Sequence, residues 1–244
     1  MTRDELPSTS VIVPCYNAAA YLADAIESIL DQDHQADEII VIDDGSIDAS
    51  AALVTGRFGS RIRYQLQPHQ GIGAARNHGV RLAAGQCIAF LDADDLWPPA
   101  SLGARLTRLA GSPEIDCIYG LVEQFISSEV DPSARATLHC PAGAHLGRVA
   151  SAMLVRKSVF DRVGVFDVSL ELGETIDWVA RFEEHGLLAA AVDEVVLRRR
   201  IHATNTVIKE KHRQSDYLHI LKASIDRRRR RHKGYPLNGI DLGS

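Results

Sequence analysis

Three short apolar runs, each broken off by a burst of polar residues, constrain this chain more than any other feature. Residues 10–13 read SVIV and stop at Pro14 in the segment PCYN. Residues 38–42 read EIIVI and run into Asp43, Asp44, Gly45 and Ser46. Residues 87–91 read CIAFL and run into Asp92, Ala93, Asp94 and Asp95. Short runs with almost no polar interruption are the mark of strands covered on both faces. Between them, Tyr21, Leu22, Ala25, Ile26, Ile29 and Leu30 recur at helical spacing, which predicts a helix over 18–31. Further helices are expected over 48–58, capped by Ser46 or Asp48, and over 73–84, with a third strand at 61–66. The resulting order β-α-β-α-β-α-β predicts an α/β fold with a parallel, doubly wound sheet. Such sheets bind ligands beyond the carboxyl ends of their strands. That is where PCYN, DDGS and DADD all fall.

The DADD cluster carries the most chemistry. Three neighbouring carboxylates repel one another unless a cation or a basic partner sits among them. Asp92 and Asp94 have the i, i+2 spacing that points both to one side of an extended chain. Carboxylates are hard oxygen ligands suited to Mg²⁺ or Mn²⁺. The alternative is a loop in which Asp95 caps a helix that has Pro98 and Pro99 near its start.

The second half is less regular. Leu102, Leu106 and Leu109 mark a helix, 115–125 a strand, 152–155 a strand and 157–163 a short helix ended by Gly164. Residues 127–147, rich in Ser, Pro, Gly and Ala, are expected to form a long loop over the site. A helix is expected over 175–185, two strands at 189–192 and 195–201, and a largely helical segment from 206 or 215 to about 232.

Charge is unevenly spread over the 244 residues. From Arg198 onward there are thirteen Lys and Arg against four Asp and Glu, leaving fourteen against twenty-eight ahead of it. An acidic body therefore carries a basic tail, and the overall basic footprint of a nucleic-acid binder is absent. No stretch approaches the ~20 apolar residues that span a bilayer, and MTRDELPSTS has no apolar h-region of a signal peptide. Cys15, Cys87, Cys117 and Cys140 show no CxxC spacing, so reduced, packed thiols in a cytoplasmic protein are expected. A dehydrogenase fingerprint is excluded, because Gly71 and Gly73 follow the third strand and Arg76 fills the third glycine's place. A nucleotidyltransferase would need a Gly-rich, basic phosphate loop after its first strand, which PCYNAAAY is not.

Taken in order, VIVPCYN, EIIVIDDGS, GIGAARNHG and AFLDADDLW resemble the N-terminal half of family 2 glycosyltransferases, and ELGETIDWVARF and LRRRIHATN resemble the C-terminal half. The resemblance covers about residues 8–205. It implies a GT-A fold: a Rossmann-like, mostly parallel central sheet flanked by helices, with a smaller acceptor-side sheet. It implies a single domain over 1–205, with a nucleotide-sugar half at 8–97 and an acceptor half at 98–205, followed by a basic helical extension over 206–244. The implied activity is transfer of a sugar from a nucleoside diphosphate donor, UDP by preference, with inversion and with Mn²⁺ or Mg²⁺. The acceptor would be a saccharide, a lipid-linked glycan, a peptide or a small molecule.

Residue by residue, the resemblance puts Pro14, Tyr16 and Asn17 at the nucleoside, with the Tyr ring near the base. Core packing is the alternative for Tyr16. Asp43 and Asp44 match the pair that bonds base and ribose, as acceptor-only carboxylates can. Arg76 matches the cation of an ARN motif, either structural or in contact with the donor. Asp92-Ala93-Asp94 matches the DxD motif, with Asp94 the main metal ligand and Asp92 reaching ribose or metal. His202 matches a His near metal or diphosphate, with a plain surface His as the alternative.

The sequence departs from the family where an inverting transfer needs a general base. The family's Glu-Asp pair is here Glu174-Thr175. Glu174 is the first candidate for the base and Asp177, three residues on, the second; complementing the helix dipole is the alternative for Glu174. The altered pair also admits an acceptor that needs little help, such as a thiol, or a non-catalytic relative that binds a nucleotide sugar as a scaffold or sensor. The RRRRRHKG run at 227–234 is read as a solvated or dipole-complementing charge run, with peripheral contact to anionic lipid at the inner membrane face as the functional alternative.

Overall fold

The computed structural model of the protein describes residues 6–135, 138–170 and 172–202, together with Ile220, residues 222–224 and Arg227. In chain order the elements are β1 (Thr9–Cys15), α1 (Leu22–Leu30), β2 (Glu38–Asp43), α2 (Ser50–Leu53), β3 (Arg63–Leu66), α3 (Ile72–Leu82), β4 (Cys87–Phe90), α4 (Ser101–Ala110), β5 (Cys117–Ile126), α5 (Pro132–Arg135), β6 (Ala144–Gly147), β7 (Leu154–Arg156), α6 (Val159–Val163), α7 (Glu174–Glu184) and β8 (Ala189–Ile201). Among the described residues all eight strands join one sheet, ordered β3-β2-β1-β4-β7-β5-β6, with β8 also paired to β5. The β3-β2-β1-β4 half is parallel throughout. β7 and β6 run antiparallel to their neighbours, and β8 runs parallel to β5.

The apolar runs form strands because both of their faces are covered. In β1, Val11 and Val13 pack on one side with Leu22, Ala25, Ile26 and Ile29 of α1 and Leu102, Leu106 and Leu109 of α4. Ile12 points to the other side, among Ile40, Ile42, Phe90, Ala75 and Val80 of α3, and Trp178 and Phe182 of α7. This is the period-two alternation of a strand with no polar face. Truncating one of these buried Leu or Ile side chains to Ala is expected to cost about 2–5 kcal/mol. Gly79 lets α3 sit on β1: a Cβ there would fall 2.3 Å from Ile12 Cγ2.

Three segments differ from expectation. The 48–58 helix is only α2 before it widens into a π turn at Val54–Phe58 and a 3-10 turn at Gly59–Arg61. Ser46 does not cap it; Ala49 flanks its start, and Asp48 Oδ1 accepts the N–H of its first residue, Ser50, at 2.9 Å. Ser46 Oγ accepts the Asn17 N–H at 2.9 Å and Asp48 Oδ2 accepts the Ala19 N–H at 3.0 Å, so both side chains stitch the loop after β1 to the loop after β2. The expected loop at 127–147 contains α5 and β6, because β5 has a free edge on which β6 pairs. The two strands expected at 189–192 and 195–201 are one strand, β8. Exposed Asp193 and Glu194 interrupt its apolar pattern where its register on β5 shifts.

The expected helical tail and the Arg227–Arg231 run lie outside the described residues, except for the helical Ile220, residues 222–224 and Arg227. No helix among the described residues is long and apolar enough to cross a membrane. Cys15, Cys87 and Cys117 are buried free thiols and Cys140 is half-buried and free.

Candidate active site

Each of the three carboxylates that follow β4 has its own partner. Asp92 Oδ1 accepts from Arg76 Nη2 at 2.7 Å. Asp94 Oδ2 lies 3.0 Å from His202 Nε2. Asp95 Oδ1 accepts the backbone N–H of Arg200 at 2.8 Å. Two of these partners come from the end of β8, which docks on the acidic segment through paired Leu96–Arg198 backbone bonds of 3.0 and 2.8 Å. Strand alternation then brings Arg198, Arg200 and His202 along the same side. The Arg200 side chain donates to the Asp94 carbonyl at 2.9 Å, to Asp24 Oδ2 at 3.0 Å and to Ser127 Oγ at 3.2 Å. It lies over the Tyr21 ring at 5.0 Å, and Tyr21 also packs 4.5 Å from the His202 ring.

His202 is therefore a buried member of the cluster rather than a surface histidine. Asp95 does not cap a helix. α4 starts only at Ser101, and Asp95 is buried against β8. Burial, then Asp94 and Asp92, push its carboxyl well above the ordinary carboxylate range. Ala93 is buried in the core between the two outward aspartates.

Arg76 links this cluster to the other half of the chain. It projects from α3, is almost wholly buried, and lies over the Phe166 ring at 5.8 Å. Its Nη2 holds Asp92, and its Nη1 donates to Glu174 Oε1 in the first turn of α7. Burial alone would weaken its protonation, but Asp92 and Glu174 together outweigh it, so the guanidinium is held more firmly charged. Neighbouring Asn77 donates to the Phe166 carbonyl at 2.8 Å and accepts its N–H at 2.9 Å, which pins the connection between α6 and α7. Asp177 has different company. Arg181 Nε lies 2.8 Å from its Oδ2 and Arg227 Nη1 lies 3.2 Å from its Oδ1, beside a cavity of about 600 Å³ bordered by residues 165–170.

At the other end of the cleft, Pro14 pairs with Ile42 near the end of β1. Tyr16 is 49% exposed, so it is not a core residue, and it stacks on His69 with ring centroids 4.1 Å apart. Asn17 takes a left-handed φ of 49°, a conformation Asn tolerates, and its Oδ1 accepts the Ile47 N–H at 2.8 Å. Asp43 accepts the Ser46 N–H and the Tyr64 hydroxyl, both at 2.7 Å. Asp44 accepts Gln67 Nε2 at 2.6 Å and the N–H groups of Gln70 and Gly71 at 2.9 and 2.8 Å, with His69 Nδ1 at 2.8 Å. Both carboxylates are buried and shape the loops that line the cleft.

His69 and Arg200 were not anticipated from sequence. For His69 the available signal was its place in QPHQGIG, beyond the carboxyl end of a strand. For Arg200 it was the alternation with His202.

Among the described residues no three of His, Cys, Asp and Glu converge as a complete metal cage. Asp94 and His202 place one oxygen and one nitrogen donor 3.0 Å apart. That fits a divalent cation of the Mg²⁺ or Mn²⁺ type, which takes one or two protein ligands and completes its shell with phosphate oxygens and water.

The glycosyl transferase family 2 model matches residues 10–164, more than half of the chain. The protein belongs to that family. An uncharacterized glycosyltransferase of Rickettsia typhi is 28% identical over 227 residues, covering 84% of this chain and 68% of that one. TuaG of Bacillus subtilis, named for teichuronic acid biosynthesis, is 38% identical over 138 residues, covering 55% of this chain and 54% of its own length. Among solved structures, TarS of S. aureus in complex with UDP superposes with a TM-score of 0.66 at 17% identity, over 89% of this chain and 64% of that one. The sheet order and flanking helices are thus those of the GT-A fold. The chain spans about two thirds of the Rickettsia relative and about half of TuaG.

Proposed function

We propose that this protein transfers a sugar from a nucleoside diphosphate donor, a UDP-sugar by preference, to a nucleophilic acceptor with inversion at the anomeric carbon. The observation that carries the reading is the Asp92–Arg76–Glu174 bridge, which ties the acidic cluster at the end of β4 to the carboxylate at the start of α7. In this reading the nucleoside lies along the carboxyl ends of β1 and β2. Tyr16 and His69 present exposed ring surface to the base, and Pro14, Asn17, Asp43 and Asp44 hold the loops around it. The UDP in the TarS complex supports the choice of uridine.

Asp94 and His202, with Asp92 beside them, would hold the Mn²⁺ or Mg²⁺. An ion held there would supply positive charge to offset the negative charge building on the diphosphate leaving group. Arg76 adds a buried, permanently charged donor on the same side. Glu174 takes the acceptor's proton, while Asp177, occupied by Arg181 and Arg227, anchors α7. The acceptor's electron pair attacks the anomeric carbon from the face opposite the diphosphate, and the carbon–oxygen bond to the diphosphate breaks with its pair leaving on oxygen.

The acceptor is a saccharide, a lipid-linked glycan, a peptide or a small molecule, and a nucleic acid is not expected. Contact of the basic tail with anionic lipid at the inner membrane face belongs to this reading as well. Arg227, the first of that run, is engaged by Glu184 at 2.7 Å.

The test is a thermal-shift screen of nucleotide sugars with Mn²⁺, followed by detection of released nucleoside diphosphate. A matching donor raises the melting temperature, because it binds only the native state, and is turned over. Binding without turnover across donors and acceptors would favour a scaffold or sensor instead.

A further inference from the structure

The Glu174 carboxylate is held in an asymmetric way. Arg76 Nη1 and the Thr175 hydroxyl both bond to Oε1, the latter at 2.9 Å. Among the described residues no hydrogen bond ends on Oε2. The direction of the Thr175 bond follows from its neighbours. Arg76 Nη1 also approaches Thr175 Oγ1 at 3.4 Å, and a guanidinium only donates, so the hydroxyl proton is free to point at the carboxylate. Arg76 itself does not grip Glu174 as a fork. It spends Nη2 on Asp92, and among the described residues its buried Nε has no hydrogen-bond partner.

The last torsion of a Glu side chain is soft and roughly two-fold. A single Arg nitrogen would let the carboxylate rotate until both oxygens share it. A second donor on the same oxygen removes that freedom. The backbone of α3 also closes one side, since a Cβ on Gly73 would lie 3.7 Å from Glu174 Cγ.

Resting on the assignment of Glu174 as base, we propose that Thr175 is a positioning residue: together with Arg76 it pins Glu174 through Oε1 and so presents Oε2 to the acceptor. In the step itself the acceptor's O–H bond breaks and its proton passes to Oε2. The freed electron pair forms the new bond to the anomeric carbon as the diphosphate departs with the old one. Thr175, in the place where relatives were expected to carry an Asp, contributes orientation instead of a second carboxylate.

The experiment compares Thr175→Val, which keeps the shape and loses the hydroxyl, with Thr175→Ser, which keeps the hydroxyl. The full chain is assayed with Mn²⁺ and water or glycerol as acceptor. The donor is whichever common UDP-hexose or UDP-N-acetylhexosamine the wild type turns over fastest. Loss of one hydrogen bond to a charged group corresponds to about tenfold in rate. Thr175→Val is therefore expected to lose about tenfold in kcat with donor KM within about twofold, and Thr175→Ser to stay within about threefold of wild type in both.

Wild-type kcat in Thr175→Val, equal losses in both variants, or a parallel rise in donor KM would overturn the positioning role. Glu174→Gln separates the two layers. Full activity in that variant, or no turnover of any donor by the wild type, removes the base assignment itself. An inactive Glu174→Gln beside a fully active Thr175→Val removes only the role of Thr175.

Discussion

Replacing Arg76 by Met should reveal how strongly the two halves of the site are coupled. The side chains differ in exposure: 3% for Arg76, 10% for Glu174 and 31% for Asp92. On the Glu174 side the substitution breaks a buried ion pair and strands a carboxylate, a loss of about 3–5 kcal/mol. On the Asp92 side solvent takes over much of the work, and the loss is about 0–1 kcal/mol. The expected total of about 3–5 kcal/mol is a large share of the 5–15 kcal/mol that typically holds a domain together. Most of it should vanish when Glu174 is neutralised at the same time. The double variant Arg76→Met, Glu174→Gln is therefore expected to be more stable, by about 2 kcal/mol, than the sum of the two single losses. Urea unfolding followed by far-UV circular dichroism measures all four corners of the cycle. Additive losses, to within about 0.5 kcal/mol, would refute the claim that Arg76 chiefly compensates Glu174.

Two further outcomes follow from the same geometry. Asp95 has a folded pKa raised above its unfolded value, chiefly by burial, so its contribution to stability is lost as pH rises toward the folded pKa. Asp95→Asn keeps an acceptor for the Arg200 N–H without the charge, and its melting temperature relative to wild type should climb as pH is raised above the ordinary carboxylate range; a flat or falling difference contradicts the burial argument. His69→Ala removes the ring stacked on Tyr16 while leaving Asp44 its three other donors. Calorimetry should show UDP affinity weakened by about 3–10-fold, the scale of one aromatic contact, and unchanged affinity would remove the ring pair from the base site.

The parallel half of the sheet was legible because local pattern and burial agree there. The runs around Val11, Ile40 and Ala89 are apolar on both faces, and their ends carry the polar motifs. In the sequence β8 reads as two strands because Asp193 and Glu194 sit at an exposed register shift, where alternation breaks down. In the site, the motifs containing Arg76, Asp92 and Asp94 were readable as a set. Glu174 and His202 were readable beside them only through the family resemblance, and which side chain each would meet was not. Glu174 reaches Arg76 across 98 residues and His202 reaches Asp94 across 108, separations that only the tertiary fold brings together. Asp95 resembled a helix cap because short-range spacing does not reveal burial against a strand more than a hundred residues away.

The most direct test of the account is a side-by-side measurement on wild type and Glu174→Gln: nucleoside diphosphate released from the preferred UDP-sugar with Mn²⁺, together with the donor-induced shift in melting temperature. The account predicts that release falls at least ~100-fold, the scale of a lost general base, while the thermal shift is retained. Release by Glu174→Gln at the wild-type rate would contradict it.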